Sequence, residues 1–328
     1  MCGLFGYSAY GKNEKTGYFN DLINALAISS ADRGTDATGI AYLLDKKIEI
    51  QKDSKAAYDL RLDVPDGTCA VLGHTRKSTQ GSEKRNYNNH PFPGKTDKAS
   101  FALAHNGIIS NDRALRNSLK LPKTKVETDS YIAVQLLEQA GILDMESLKK
   151  MAEAIQGSFS FTVLDDQDTL FIVKGDSPIS ILHFKELKLY VYASTDKILW
   201  KALVNSPLFE KLKSGICNNQ CIDEFRLNAG QILKISSDGK LDYGSFKYSV
   251  PFGFEYDWAN CGLKKNSSPE EEDEYLDELR QLSGQMGYSD NLIDRLLEEG
   301  FTALEIEEYL YDPDMFQSAY TVMHTNER

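Results

Sequence analysis

The residue best placed to do chemistry is Cys2, followed by Gly3 and a short apolar stretch. Removal of the initiator methionine, which the small Cys2 side chain permits, would leave a thiol and a free α-amine on one residue. An α-amine titrates near about 7.7–8.0, so a large neutral fraction can accept the thiol proton directly or through one water. Nucleophile and base then come from a single residue, with no histidine needed. Taken alone, MCG reads more simply as a cysteine packed at the start of an edge strand. Arg76 and Asp129 are a second candidate set. A free amino acid presents one carboxylate and one ammonium, so a selective site needs a cation and an anion held apart. Taken singly, Arg76 reads as a solvated loop cation and Asp129 as a helix N-cap.

Other reactive residues attract less weight. His74, His90 and His105 lie singly in three strands or loops without ligand spacing, so packing or hydrogen bonding is their preferred reading over a dyad or a metal. Cys217 and Cys221 form a CxxxC pair with no second pair nearby to complete a zinc site, and no metal is expected. Arg76, Lys77, Lys84 and Arg85 could meet a phosphate, but a solvated lid is the simpler reading.

Strands and helices must carry these groups. The pattern predicts strands at 2–7, 38–44, 47–51 and 68–75, with a helix over 17–31. A polar loop, long enough to be a lid, fills 76–99. A strand at 100–105 and helices over 110–119, 129–140 and 146–156 follow. Strand pairs are expected at 158–174 and 179–194, then strands at 230–236 and 240–248. Strands in blocks, with helices in blocks between them, imply layered sheets covered by helices. Near residue 265 the composition shifts to KKNSSPEEEDE, a linker leading into three short helices within 269–312.

The net charge of −12 comes from 49 acidic and 37 basic residues. Residues 269–312 hold 15 acidic and 2 basic side chains, so the remainder is close to neutral. Nothing resembles the clustered positive charge of a nucleic-acid surface. No apolar run approaches the roughly 18 residues of a membrane helix. Five scattered cysteines and the absence of a signal-peptide pattern lead to the expectation of a reducing cytoplasm.

Six motifs in order then carry a resemblance: Cys2-Gly3 with Gly6; Arg33-Gly34-x-Asp36-x-x-Gly39; Gly73-His74-Thr75-Arg76-x-Ser78-Thr79; Asn89-His90-Pro91; His105-Asn106-Gly107-Ile108-Ile109; and Glu127-Thr128-Asp129-Ser130. The segments Gly175-Asp176-Ser177-Pro178 and Ala193-Ser194-Thr195-Asp196 add to it. The chain resembles the class II glutamine amidotransferases, N-terminal-nucleophile hydrolases that release ammonia from glutamine, over roughly residues 2–240. It is similar to the glutaminase domain of glucosamine-6-phosphate synthase without a fused acceptor domain. The resemblance implies an α+β fold, a four-layer αββα sandwich, with a small C-terminal helical module. The expected layout is a glutaminase domain at 2–250, a linker at 251–268, an acidic helical module at 269–312 and a tail at 313–328.

The resemblance also implies roles. Cys2 would be the nucleophile, with its α-amine as base and then acid. The Asn106 side chain and the Gly107 N–H would hold the oxyanion. Arg76 would clamp the substrate α-carboxylate with help from Thr79. Asp129 would receive the α-ammonium, helped by Gly107. No cofactor is implied. Lys77 departs from the family pattern, which often has an aromatic residue there, and Gln80 stands where sugar-aminating members often have a histidine. No isomerase pair, diphosphate-sugar motif or SGGxD-type ATP loop is found. The expected partners are therefore glutamine and a separate ammonia-accepting synthase or ligase, with no membrane and no nucleic acid. Hydrolysis of another γ-glutamyl amide or peptide is the alternative, and an inactive binding or assembly domain a third. The acidic module reads equally as a docking element or as a solvated bundle.

Overall fold

The computed structural model describes residues 2–11, 18–207, 209, 222–248, 269–285, 288–289, 291–298, 306 and 310. Contacts divide the chain into two units, Met1–Gly253 and Phe254–Arg328. In chain order the first unit runs β1 (Gly3–Ala9), α1 (Tyr18–Ser30), β2 (Ala37–Leu44), β3 (Lys47–Asp53), β4 (Ala70–Arg76), β5 (Phe92–Lys95) and β6 (Ser100–Ile109). It continues through α2 (Asp112–Ser118), α3 (Tyr131–Ala140), α4 (Met145–Ala154), β7 (Gly157–Asp165), β8 (Leu170–Lys174), β9 (Ser180–Phe184) and β10 (Leu189–Ala193). The last elements are α5 (Asp196–Val204), β11 (Ile222–Phe225), β12 (Gln231–Ile235) and β13 (Leu241–Ser245).

Two antiparallel sheets result, with strand orders β11-β9-β10-β1-β4-β2-β3 and β13-β12-β8-β7-β6-β5. Their side chains alternate between faces with period two, which divides the apolar residues among three cores. Leu4, Leu72, Ala104, Leu164, Ile172 and Leu233 fill the space between the sheets. Phe5, Tyr7 and Val71 point the other way, onto Leu22 and Leu26 of α1 and Leu199 of α5. Phe159, Phe161 and Val173 meet Ile132 and Val134 of α3 and Leu148 of α4. The layers are therefore helix, sheet, sheet, helix. Both faces of β1 are covered, which explains why every residue from Gly3 to Ala9 is buried.

Local chemistry sets several boundaries. Asp144 caps α4 through a reciprocal box with Ser147, and Gly141 in the left-handed region closes α3. The polar stretch expected to be one loop contains β5 and a single turn of 3₁₀ helix at Asn86–Asn88. β6 runs on to Ile109, four residues past its expected end, so Asn106 and Gly107 stand on a strand. Their partners on β7 are Ser160 and Phe159.

The second unit contains α6 (Pro269–Gln285) and α7 (Leu292–Glu298). Leu279, Leu292, Ile293, Leu296, Ile306 and Leu310 form its core. Arg280 ties the helices together by an ion pair to Asp294 of α7, and pairs within α6 with Asp277. The expected linker at 251–268 and tail at 313–328, together with Cys217 and Cys221, lie outside the described residues. No helix among the described residues is long and apolar enough to cross a membrane.

Candidate active site

Cys2 sits half-buried at the entrance to β1, whose pairing with β4 sets Gly3 opposite Thr75. The thiol lies against the chain that leaves β4, with Sγ 3.4 Å from the Lys77 N–H and 3.5 Å from the Lys77 carbonyl. The Arg33 Nε donates to the Cys2 carbonyl at 2.9 Å, and the Leu4 N–H donates to Ser194 Oγ at 2.8 Å. Cys2 is thus held at its sulfur by the Lys77 backbone and at its carbonyl by the Arg33 side chain. Burial pushes its thiol pKa up; the Lys77 N–H and the cations Arg76 and Arg33 oppose that rise.

Arg76 ends β4 and is only 2% exposed, not the solvated loop cation its sequence position suggests. Its Nη1 donates to Asn89 Oδ1 at 2.8 Å, and its Nη2 to the Gln80 and Gly81 carbonyls at 2.7 and 2.9 Å. Among the described residues it has no ion-pair partner. Burial lowers its pKa, while the charges of Cys2, Asp36, Glu83 and Asp129 act to raise it. The Arg33–Asp36 turn packs tightly against it. A Cβ on Gly34 would lie 2.4 Å from the Arg76 carbonyl carbon, and the Asp36 N–H donates to the Arg76 carbonyl at 2.9 Å. Asp36 Oδ2 in turn accepts from the Ser78 N–H at 2.7 Å.

Asn106 is 2% exposed and its Nδ2 is buried with no hydrogen-bond partner. A buried, unpaired amide donor costs on the order of 1–3 kcal/mol, so it calls for an acceptor. Gly107 beside it has φ +134°, and a Cβ there would lie 2.0 Å from the Ser158 carbonyl oxygen. Only glycine suits that backbone. Asp129 is 5% exposed and accepts from the Ile109 N–H at 2.6 Å, at the end of the strand that carries Asn106. It is not the cap of α3, since Ser130 occupies that position and makes no side-chain cap bond.

Thr79 is exposed, with no recorded contact that brings it to Arg76 or Cys2 among the described residues. The histidines do not form a catalytic dyad. His74 stacks on His90 with ring centroids 4.1 Å apart, and its Nε2 lies 3.0 Å from the His105 carbonyl. His105 Nδ1 lies 2.8 Å from Ser130 Oγ. Burial drives the pKa of His74 down to about 3 and lowers those of His90 and His105, so all three are neutral and packed. No group of three potential metal ligands occurs among the described residues.

Sequence reasoning missed the groups that hold Arg76. Asn89 belongs to a motif but had no role, and Lys52 gave no signal. Lys52 Nζ donates to the Asn89 and Pro91 carbonyls at 2.6 and 2.9 Å and sits 5.3 Å from the centre of the Phe92 ring.

Residues 74–201 match the family model described as glutamine amidotransferase domain. Among curated proteins, the chain is 30% identical over 193 residues to the glutamine–fructose-6-phosphate aminotransferase of Shouchella clausii, covering 55% of this chain and 30% of that protein. It is 33% identical over 190 residues to the same-named protein of Listeria monocytogenes, with the same coverage. The chain thus spans about 30% of the length of these relatives. Among solved structures, the glutamine phosphoribosylpyrophosphate amidotransferase of B. subtilis superposes with TM-score 0.58 at 18% identity, over 76% of this chain and 50% of that one. A structure described as the allosteric regulatory enzyme of purine biosynthesis gives TM-score 0.59 at 18% identity, with the same coverage. These two likenesses bear on the fold, which is the same two-sheet, helix-covered sandwich.

Proposed function

We propose that this chain, which matches the glutamine amidotransferase domain model over 74–201 and shares the fold of the amidotransferase structures, hydrolyses the side-chain amide of glutamine through a thioester on Cys2. The observation that carries the reading is the buried, unpartnered Asn106 Nδ2 beside Gly107. An amide donor held in a desolvated place and left without an acceptor is suited to a charge that appears only during reaction.

The steps follow from the groups in place. With Met1 removed, the Cys2 amine takes the thiol proton as Sγ bonds to the amide carbon. The carbonyl electrons move to oxygen, and the oxyanion is received by Asn106 Nδ2 and the Gly107 N–H. The amine returns the proton to the leaving nitrogen, the C–N bond breaks and ammonia departs. Water then attacks the γ-glutamyl thioester with the same amine as base, releasing glutamate and restoring the thiol. Arg76 and Asp129 set the register. One is a buried cation with no ion-pair partner among the described residues, the other a buried carboxylate that accepts from the Ile109 N–H and the Ser130 hydroxyl. They suit the α-carboxylate and α-ammonium of a free amino acid. Arg76 has spent three of its five donors on the chain, so at most two remain for substrate. Thr79 would join the carboxylate site only if the Lys77–Gln80 segment closed over bound substrate.

The ammonia released is read as passing to an acceptor enzyme, in keeping with the aminotransferase relatives that this chain resembles. The test is intact-mass measurement after incubation with a glutamine-like chloroketone, paired with an assay of glutamate release. The expected result is a single adduct on Cys2 in a chain lacking Met1, blocked by excess glutamine, and loss of glutamate release on labelling. An adduct elsewhere, or an active chain that retains Met1, would refute the mechanism.

A further inference from the structure

Lys52 is an unusual residue for its place. It lies on β3, at the edge of the first sheet, paired with Gly39 of β2. Its ammonium is turned inward, and among the described residues no carboxylate lies within ion-pair distance. It spends its donors on two backbone carbonyls, Asn89 at 2.6 Å and Pro91 at 2.9 Å. Its own carbonyl accepts from Asn86 Nδ2 at 2.8 Å. One lysine therefore fastens both ends of the Asn86–Pro91 segment. Burial and the nearby Arg76 charge lower its pKa to about 8, as expected for an ammonium held where charge is costly.

That segment is the bracket between the two halves of the amino-acid site. Asn89 Oδ1 holds Arg76 Nη1 at 2.8 Å, while Asn89 Nδ2 is turned back to the Glu83 carbonyl and Asn86 Oδ1. The neighbouring Asn88 exchanges two bonds with Glu127, Nδ2 to Oε2 at 2.8 Å and the Glu127 N–H to Oδ1 at 2.9 Å. Glu127 stands two residues before Asp129. Arg85 adds an ion pair to the same Glu127 carboxylate. A path of contacts thus runs from Lys52 through Asn89 to the cation, and from the same short segment through Glu127 toward the anion.

We propose that Lys52 is a positioning residue for the substrate α-carboxylate: by gripping Asn89 and Pro91 it fixes the Arg76 guanidinium and its spacing from Asp129. It also adds a second positive charge behind Arg76, so the pair favours an anionic group at the open donors of Arg76. The inference rests on the glutamine-hydrolysis reading for its substrate. The carbonyl grip itself does not depend on that reading. Removing the ammonium would loosen the binding of amino-acid substrates and leave the Cys2 thiol and the oxyanion donors as they are.

The experiment compares the full-length wild type with Lys52→Met and Lys52→Arg. For K52M, KM for glutamine is expected to rise roughly tenfold to a hundredfold, the range produced by an ångström-scale misplacement, with kcat within about twofold. The rate of Cys2 alkylation by iodoacetamide, which has no α-carboxylate, should stay unchanged, whereas labelling by the glutamine-like chloroketone should slow in step with KM. K52R, which keeps the charge and donors, should recover most of the loss. Hydrogen exchange is the readout independent of turnover: amides of 86–90 should exchange faster in K52M, with α3 and β6 unchanged. Unchanged KM and unchanged exchange in a folded K52M would overturn the proposal. So would equal loss of iodoacetamide and chloroketone labelling, which would mean general damage to the site. If the wild type fails to hydrolyse glutamine, the parent reading falls, and the exchange data alone then decide whether Lys52 holds the segment.

Discussion

The two ends of β1 carry polar clusters of opposite character. Beyond its last residue, Tyr10 Oη lies 2.8 Å from His183 Nε2, His183 Nδ1 lies 3.8 Å from Asp223, and Asp223 pairs with Lys185 at 2.8 Å. The His183 ring stacks on Tyr190 with centroids 4.0 Å apart, and the Tyr190 hydroxyl donates to the Gly239 carbonyl at 3.0 Å. The tyrosine, histidine and aspartate could be mistaken for a reactive triad. Each of them already has its partner, and the cluster joins β9, β10 and β11 of one sheet to the β12–β13 turn of the other. Before the first residue of β1 the situation reverses. Asn106 Nδ2 and Ser78 Oγ are buried without partners, and Arg76 is a buried cation with no ion-pair partner among the described residues. The groups left unmet near Cys2, Asn106 Nδ2 and Arg76, are the ones the proposed reaction would use, whereas the Tyr10–His183–Asp223 cluster is satisfied within itself.

Substitutions at the two ends should therefore fall on different observables. Asn106→Ala is expected to lower kcat for glutamine hydrolysis by about 10²–10³-fold, the loss typical of one oxyanion donor, with little change in KM or melting temperature. Steady-state kinetics beside a thermal melt would check it, and a large loss of stability with unchanged kcat would erase the contrast.

Acid should act next, through the three buried histidines His74, His90 and His105. Their folded pKa values are depressed by burial, to about 3 for His74, so the unfolded chain binds protons first as pH falls. Above the unfolded value of about 6.5 the neutral rings cost nothing; below it the unfolded chain takes up protons that the fold refuses, so stability falls, for His74 down toward about pH 3 and for His90 and His105 in the same direction. Denaturant midpoints at pH 7, 6 and 5 would measure the slope. A flat profile below pH 6.5 would mean that these rings are charged in the fold.

The smallest effect belongs to the far end of β1. Tyr10→Phe removes one half-buried hydrogen bond and should cost about 1 kcal/mol of stability with kcat/KM unchanged. A fall in kcat/KM without loss of stability would show that the Tyr10 cluster takes part in the reaction, and the division between the two ends would fail.

Much of this was legible in the sequence, for reasons that differ by residue. Cys2, Asn106, Gly107 and Asp129 stood in motifs, and short, mostly apolar runs marked β1 and β4. The end of β6 was harder to see. Asparagine and glycine are poor strand formers, so His-Asn-Gly reads as a turn, yet pairing with β7 carries the strand through to Ile109. The burial of Arg76 was invisible because Gln80, Gly81 and Asn89 close around it only in the folded chain. Lys52 lies on an edge strand of mixed exposure, where a lysine ordinarily faces water. β11 escaped because its four residues, Ile-Asp-Glu-Phe, are too short and too charged to show a period. Thr79 was placed in the site by motif alone, and its exposed position ties its role to a movement of the loop.

The setting of Cys2 also governs how the protein meets oxidants. Peroxide and disulfides react with thiolate rather than thiol, and burial holds this sulfur toward the thiol form between the Lys77 N–H and carbonyl. In the proposed reaction the thiol would become a thiolate only as its proton is drawn off during attack, so the raised pKa that slows oxidation of the resting sulfur would not slow its attack on substrate.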